Sequence, residues 1–391
     1  MKKKKKLSIG VIGILLLLFF IVVYLGANQP KPALPVLGEV EEIKGEDTFV
    51  SGGFTYSSSI DDIKNLYARI EYKDSGTKLP LVILMHGYVE QVSDIEDDVF
   101  TRYADEGAFV LAVGMRGRDG ADGKKDASAR ELYDIYDAIN YVIKDNYSDV
   151  IDAENISFVG YSGGGANGLG MAVKYPDLFD NIVAHFPISD YGYDNESGWW
   201  QQDTYPRDRI EDYIGGTPDE VPNAYFSRAH ALGIGNYSIG NLYLFEDEED
   251  EAVSVKQTTD VVEQLEKLKM DNYYVDITDK NDNPRWLHSL PQPDQPVINT
   301  EKVFMPDIVS HKHDNKGIAT KGIFKVMGYI VTKDFEIWLG DGTKEVADLA
   351  YDVSKKEYTV TPLTGEMEVT IKQGGETTKQ TIKEQSKIVV K

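Results

Sequence analysis

The nine residues Ile156-Ser157-Phe158-Val159-Gly160-Tyr161-Ser162-Gly163-Gly164 decide how this chain folds. An apolar run typical of a buried strand leads into Gly-x-Ser-x-Gly, and small residues typical of a helix start follow. The glycines allow strand and helix to approach closely, while the apex residue takes a strained backbone conformation. The pattern predicts a nucleophile elbow, with Ser162 projecting above the sheet edge and the Gly163 N–H at a helix N-terminus.

Apolar strands alternate with amphipathic helices on both sides of this turn. Strands are predicted near 65–72, 79–85, 109–115, 156–161, 182–187, 242–245 and 273–277, and helices near 94–106, 127–144, 163–175, 254–268 and 317–330. This alternation predicts a mostly parallel sheet with helices on both faces. Active sites of such sheets lie at the carboxyl ends of the strands, where Ser162 falls. With the elbow, the pattern predicts an α/β-hydrolase domain over 39–332.

Two further segments interrupt or follow this alternation. Residues 191–240 lack a clear period and are rich in aromatic side chains such as Trp199 and Tyr213, so they form either a cap inserted over the site or an irregular surface segment. Residues 279–308 hold five prolines and resemble a second excursion. Alternating apolar and polar residues over 333–391 predict a small antiparallel β-rich C-terminal segment.

The N-terminus has the pattern of an export segment. Five lysines, Lys2 to Lys6, precede the aliphatic stretch Leu7–Leu25, which is long enough to span a bilayer. Residues 1–26 are therefore predicted to be a signal anchor, with 27–38 as a proline-containing linker. The catalytic domain would then lie outside a single-pass cell membrane, or be secreted if the segment is cleaved. The absence of cysteine excludes disulfides and suits a Gram-positive bacterium.

The net charge of the chain limits the classes of partner that it can bind. The formal net charge is −24, and it becomes −29 without the five N-terminal lysines. Such an acidic chain lacks the basic face that nucleic-acid binding requires, so no nucleic-acid partner is expected. The membrane contact is expected through the N-terminal anchor alone. The substrate is expected to be a small-molecule or polysaccharide ester, with no cofactor and no metal.

Serine attack on an acyl carbon requires a base, an acid that orients the base, and two N–H donors for the oxyanion. The segment His86-Gly87-Tyr88 follows the strand predicted at 79–85, where the second donor is expected. The amides of Tyr88 and Gly163 are therefore the predicted oxyanion hole. His86 precedes the serine in the chain and is interpreted as structural, since the expected order is serine, acid, histidine.

The acid is expected after the strand at 242–245, where six consecutive acidic residues occupy 246–251. In hydrolases of this kind the acid commonly lies three residues before a valine that begins the next helix. This position selects Asp250, three residues before Val253. Asp247 and Glu248 remain alternatives.

Three of the six histidines are candidates for the base, which should lie between the strand at 273–277 and the helix expected at 317–330. They are His288, within the proline-rich excursion, and His311 and His313, just ahead of the expected helix. His311 and His313 would point to the same side of an extended segment, so their spacing does not separate them. His313 is the predicted base, with His311 as the first alternative.

Three segments carry a family resemblance: His86-Gly87-Tyr88, Arg116-Gly117-Arg118-Asp119-Gly120 and the elbow. They resemble the α/β-hydrolases of the prolyl oligopeptidase and acetyl xylan esterase/cephalosporin C deacetylase group. The resemblance implies the serine mechanism and a structural ion pair for Arg116, although the elbow reads Ser-Gly-Gly instead of the deacetylases' Ser-Gln-Gly. The expected function is a membrane-anchored extracellular serine esterase. A peptidase of the same class and a catalytically weak or inactive binding protein are the alternatives.

Overall fold

A mixed sheet forms the centre of the molecule. The computed structural model describes residues 43–44, 49–202, 207–310 and 317–391. Nine strands of this part pair in the order β1-β2-β3-β5-β4-β6-β7-β8-β9. They are β1 (Ile43–Lys44), β2 (Phe49–Tyr56), β3 (Leu66–Lys73), β4 (Leu79–Met85), β5 (Phe109–Val113), β6 (Ile151–Tyr161), β7 (Asn181–His185), β8 (Asn241–Asp247) and β9 (Tyr273–Thr278). The strands from β4 to β9 run parallel to one another. The pairs β1 with β2, β2 with β3, and β3 with β5 are antiparallel.

Helices connect the strands. They are α1 (Asp97–Asp105), α2 (Glu131–Asn140), α3 (Gly163–Lys174), α4 (Arg207–Ile214), α5 (Pro222–Phe226), α6 (Lys256–Leu268) and α7 (Glu301–Val309). Short helical turns lie at Val92–Asp94, Tyr141–Asn146, Trp199–Gln202, His230–Asn236, Pro296–Thr300 and Val353–Lys355. Each predicted strand of this sheet is present within a few residues of its expected bounds.

The core lies on both faces of the sheet, as the apolar strands predict. All seven residues of β4 are buried. Leu81, Ile83 and Met85 pack into one apolar cluster, and Val82 and Leu84 pack into another on the opposite face. Because successive side chains of a strand point to opposite faces, a strand covered on both sides needs a continuous apolar sequence. The α/β-hydrolase fold with helices on both faces is therefore confirmed.

A second, eight-stranded sheet forms the C-terminal region. All its pairs are antiparallel, in the order β16-β15-β12-β11-β10-β13-β14-β17. Its strands are β10 (Lys321–Met327), β11 (Tyr329–Val331), β12 (Glu336–Leu339), β13 (Val346–Asp352), β14 (Glu357–Pro362), β15 (Met367–Gln373), β16 (Glu376–Ile382) and β17 (Ser386–Val389). The predicted β-rich C-terminus is confirmed, and its sheet begins at Lys321, ahead of the expected boundary at residue 333.

The helix predicted over 317–330 is wrong. Strands β10 and β11 occupy most of that range, and β10 pairs along its whole length with β13. The apolar residues Ile323, Met327 and Ile330 follow one another at a helical spacing of four and three, but Ile323 is 76% exposed. Pairing between distant strands overrides the local period here. The last helix of the described chain is consequently α7, which ends at Val309.

No helix in the described part of the chain combines the length and apolarity that a membrane crossing needs. This finding overturns the predicted single-pass location at the cell membrane with an extracellular catalytic domain. The apolar stretch Leu7–Leu25 and the linker 27–38, from which that location was derived, lie outside the described residues.

Candidate functional site

Ser162 occupies the strained turn between β6 and α3. Its backbone angles are φ 56° and ψ −117°, a conformation that side-chain-bearing residues adopt only under constraint. The constraint comes from close packing, because a Cβ on Gly160 would lie 2.1 Å from the carbonyl oxygen of Gly164. The Ser162 N–H donates to the His185 carbonyl at 2.8 Å. Its side chain makes no capping hydrogen bond to helix α3 and is partly exposed, so the hydroxyl is available for chemistry.

The two predicted oxyanion donors lie side by side at this turn. A Cβ on Gly163 would lie 2.7 Å from the backbone nitrogen of Tyr88, so the two residues are in direct contact. Gly163 begins α3, whose N-terminus favours a developing negative charge. The Tyr88 hydroxyl is buried and contacts Tyr191 and Ser128. The hydroxyl is therefore engaged inside the protein, and the predicted oxyanion donor of Tyr88 is its backbone N–H.

The structure separates the three candidate acids at the end of β8. The side chain of Asp250 is fully buried, and its Oδ1 accepts hydrogen bonds from two backbone N–H groups at 2.7 and 2.9 Å. Asp247 instead pairs with Arg285. Burial opposes ionisation of Asp247, but the hydrogen bonds from Arg285, the Glu249 N–H and Thr278, together with the charge of Arg285, outweigh it and lower the pKa of that carboxyl. Glu248 is exposed.

The histidine that contacts Asp250 is His288. Its Nδ1 lies 2.7 Å from Asp250 Oδ2, and the His288 side chain is 27% exposed. This contact orients the ring and leaves Nε2 for a second partner, as a catalytic base requires. His288 precedes α7, whereas His311 and His313 follow it and lie outside the described residues. The rule that the base precedes the last helix therefore points to His288 once that helix is correctly placed.

Ser162 and His288 are both held at the end of β7. The carbonyl of His185 accepts the Ser162 N–H, and the ring of the next residue, Phe186, lies 5.0 Å from the His288 ring, centre to centre. A cavity of about 700 Å³ opens beside the histidine. Half of its lining residues are acidic; the lining consists of Asp247, Glu249, Asp250, Glu251, Ala252, Arg285, Leu287 and His288.

Three other histidines are buried. For His86 and His185, burial lowers the pKa to about 3, with the charge of Arg118 adding to the effect at His86. Burial also lowers the pKa of His230 well below its usual value. These rings stay neutral at physiological pH. The structural interpretation of His86 agrees with its contact, because its Nδ1 lies 2.8 Å from the Gly87 carbonyl oxygen.

A carboxylate that the sequence interpretation missed lies close to the serine. Glu90 Oε2 accepts the Gly87 N–H at 2.7 Å, and a Cβ on Gly87 would lie 3.4 Å from Ser162 Cβ. Burial raises the pKa of Glu90, against the opposing effects of the Gly87 N–H and the charges of His288 and Arg118. No family motif marks this position; its spacing of three residues from Gly87 within one tight turn is the local signal.

The segment 191–240 packs against the site at Tyr88. The Tyr88 ring centre lies 6.0 Å from that of Tyr191 and 6.3 Å from those of Trp199 and Tyr213. The aromatic composition noted in the sequence therefore belongs to an apolar cluster at the oxyanion residue. Residues 203–206 of this segment lie outside the described part of the chain.

Arg116 forms the ion pair that the resemblance implies. Its Nε and Nη2 each lie 2.6 Å from one carboxylate oxygen of Asp134, in a buried, two-point contact. Burial opposes the charge on Arg116, but the hydrogen bonds to Asp134 and Asp61 and the nearby carboxylate charges together outweigh it and raise the guanidinium pKa. Paired in this way, Arg116 holds the loop after β5 to helix α2.

The family model of the prolyl oligopeptidase family, Peptidase_S9, matches residues 97–297, just over half of the chain. The chain belongs to the prolyl oligopeptidase family. This membership makes it a serine hydrolase. No curated protein sequence matches the chain.

Solved structures of peptidases and esterases share the fold. Acetyl xylan esterase 1 from Thermoanaerobacterium sp. is 16% identical with a TM-score of 0.51, and the alignment covers 70% of this chain and 88% of the esterase. An acylaminoacyl peptidase from Pyrococcus horikoshii is 18% identical with a TM-score of 0.52, covering 70% of this chain and 43% of the peptidase. A dipeptidyl aminopeptidase IV homologue from Bacteroides ovatus is 18% identical (TM-score 0.52), covering 67% and 36%. This chain thus spans most of the esterase and about two fifths of the two peptidases.

Proposed function

We propose that this member of the prolyl oligopeptidase family hydrolyses carboxylic esters with Ser162 as nucleophile, His288 as general base and Asp250 as the acid. The observation that carries the proposal is the 2.7 Å contact between His288 Nδ1 and the buried Asp250 carboxylate, beside the strained serine turn. His288 thereby replaces His313 and His311 as the proposed base.

The reaction follows from the roles of these groups. His288 Nε2 takes the proton of Ser162 Oγ as the oxygen attacks the acyl carbon, and Asp250 stabilises the imidazolium that forms. The N–H groups of Tyr88 and Gly163 stabilise the oxyanion, and the imidazolium then gives its proton to the leaving alcohol. Water, activated by His288, hydrolyses the acyl-serine and regenerates the free hydroxyl.

The chain spans 88% of an acetyl xylan esterase, and this similarity in length favours ester substrates over peptides. The rings of Trp199 and Tyr213 lie against Tyr88 and occupy space beside the proposed oxyanion hole, which favours short acyl groups over long ones. An acetyl or other short acyl group on a polysaccharide is the proposed substrate class. The peptidase alternative is retained because the family model that matches is that of a peptidase family.

The test uses the purified full chain with p-nitrophenyl acetate, butyrate and octanoate, acetylated xylan, and peptide p-nitroanilides. We expect hydrolysis of acetate and acetylated xylan to exceed that of octanoate and of the anilides. Ser162→Ala should abolish both hydrolysis and labelling by a fluorophosphonate probe. A Ser162→Ala variant that is as active as the parent chain would refute the mechanism, and faster cleavage of the anilides would favour the peptidase alternative.

The histidines are distinguished by three variants measured side by side. His288→Ala should lower kcat by several orders of magnitude, because the base and its contact to Asp250 are lost together. His311→Ala and His313→Ala should each retain at least a tenth of the parent kcat. Near-complete loss in His313→Ala or His311→Ala, with an active His288→Ala, would restore the original assignment of the base.

A further inference from the structure

Tyr88 is held at both of its ends, although the reaction uses only its backbone N–H. Arg118 Nη1 donates to the Tyr88 carbonyl oxygen. At the far end of the side chain, the buried hydroxyl contacts the Tyr191 hydroxyl and lies 3.2 Å from Ser128 Oγ. A residue anchored through its carbonyl and its side chain has little freedom to rotate about its backbone bonds, so these contacts restrict the direction of its N–H.

The three hydroxyl groups form a closed buried network. Ser128 Oγ lies 2.9 Å from the Tyr191 hydroxyl and donates to Asn167 Oδ1 at 2.7 Å. Ser128, Tyr191 and Asn167 are each 0% exposed. Asn167 lies on α3, the helix that Gly163 begins. The network therefore links the Tyr88 side chain to the element that supplies the second oxyanion donor.

Ser128 takes its place in this network at a cost in backbone strain. Its φ is 55°, in the left-handed region that favours glycine. Two contacts hold the segment: the Ser128 N–H donates to Glu131 Oε1 at 2.8 Å, and Arg228 Nε donates to the preceding carbonyl, that of Ala127, at 2.7 Å. A strained residue whose side chain is a network donor indicates a role that glycine does not fill.

We propose that Tyr191 and Ser128 are positioning residues of the reaction, whose hydroxyls hold Tyr88 so that its N–H points at the oxyanion. This inference rests on the ester hydrolysis proposed above. Donors in an oxyanion hole act because they are pre-aligned, and a displacement of about 1 Å lowers the rate about a hundredfold. Tyr191 begins the segment 191–240, so that segment contributes to catalysis through the alignment of the oxyanion hole.

The test removes single hydroxyl groups. Tyr191→Phe keeps the ring, and Ser128→Gly removes the hydroxyl while suiting the positive φ, so both variants should fold. We expect kcat on p-nitrophenyl acetate to fall about 10- to 100-fold with KM within about twofold, since the lost alignment acts on the transition state. Affinity for phenylboronic acid, which forms a tetrahedral adduct with a serine, should fall by the same factor as kcat/KM.

The matched control is Tyr225→Phe. Tyr225 also has a buried ring in the segment 191–240, but its hydroxyl donates to the Gly216 carbonyl at 3.0 Å, outside the network. In the double variant Tyr191→Phe/Ser128→Gly, kcat should be little lower than in the less active of the two single variants, since both changes break the same network. If kcat of Tyr191→Phe and Ser128→Gly equals that of Tyr225→Phe while Ser162→Ala is inactive, the positioning role is refuted and the proposed function stands. An active Ser162→Ala would instead refute the proposed function itself.

Discussion

Arg228 joins three parts of the molecule, and its replacement should reveal how strongly they are coupled. The side chain is 3% exposed. Its Nη2 pairs with Asp126 at 2.9 Å, its Nε donates to the Ala127 carbonyl, and its Nη1 donates to the carbonyls of Ala224 and Thr343. Thr343 lies in the C-terminal sheet region and Ala224 in α5. One guanidinium therefore connects that region, the segment 191–240 and the loop before α2.

The loss of stability in Arg228→Met depends on which partners of the guanidinium keep a hydrogen-bond donor. The Ser227 hydroxyl lies 2.9 Å from the Ala224 carbonyl oxygen and 2.6 Å from that of Thr343, but it has a single hydrogen, so one of these two carbonyls is left without a donor, at a cost of about 1–3 kcal/mol. The Ala127 carbonyl loses its donor, which costs about 1–3 kcal/mol, and the largely buried Asp126 loses its counter-charge, which costs about 3–5 kcal/mol. Some relaxation is expected, so the free energy of unfolding should fall by about 5–8 kcal/mol.

The assay is urea unfolding at pH 7.5, followed by tryptophan fluorescence and far-ultraviolet circular dichroism. Lys383→Met is the control, because it breaks an exposed pair with Glu366 at 3.0 Å and should change stability by less than about 1 kcal/mol. Arg228→Met/Asp126→Asn should recover part of the loss, since no unpaired charge remains buried. A loss below about 1 kcal/mol in Arg228→Met, or a double variant less stable than the single, would refute this reasoning.

Two further predictions concern charges at the site and at the interface of the sheets. Asp250→Asn should lower kcat on p-nitrophenyl acetate about 10⁴-fold, whereas Asp247→Asn, which alters a pair with Arg285, should lower it less than tenfold; the reverse order would contradict the proposed acid. Burial, with the charge of Arg228, lowers the pKa of Lys174 to about 7, below the value of about 10.4 expected in the unfolded chain. Between pH 7 and 10 the unfolded chain therefore binds more protons, so the parent should gain stability relative to Lys174→Met by up to about 1.4 kcal/mol per pH unit. A stability difference that is constant from pH 7 to 9, measured by urea unfolding, would contradict this.

The proposed base, His288, is a residue that the sequence offers as a candidate but does not single out. The sequence analysis expects the base between a strand and the last helix, but it predicts that helix over 317–330, where β10 and β11 lie. The true last helix, Glu301–Val309, contains Pro306, a residue that disfavours helix interiors and hides the helical pattern. His288 was among the candidates, yet only the contact with Asp250 distinguishes it.

The sequence by itself determined the elements whose signals are local. Continuous apolar strands predicted the parallel sheet, and the Gly-x-Ser-x-Gly turn predicted the strained serine, because each depends on residues that are neighbours in the chain. The position three residues before Val253 predicted Asp250 among the carboxylates of 246–251. Only the tertiary structure decided which histidine contacts Asp250, and that the Tyr88, Ser128 and Tyr191 hydroxyls meet. These contacts join residues that are 38 to 103 positions apart in the chain, and they meet only when the sheet and its connecting loops have folded.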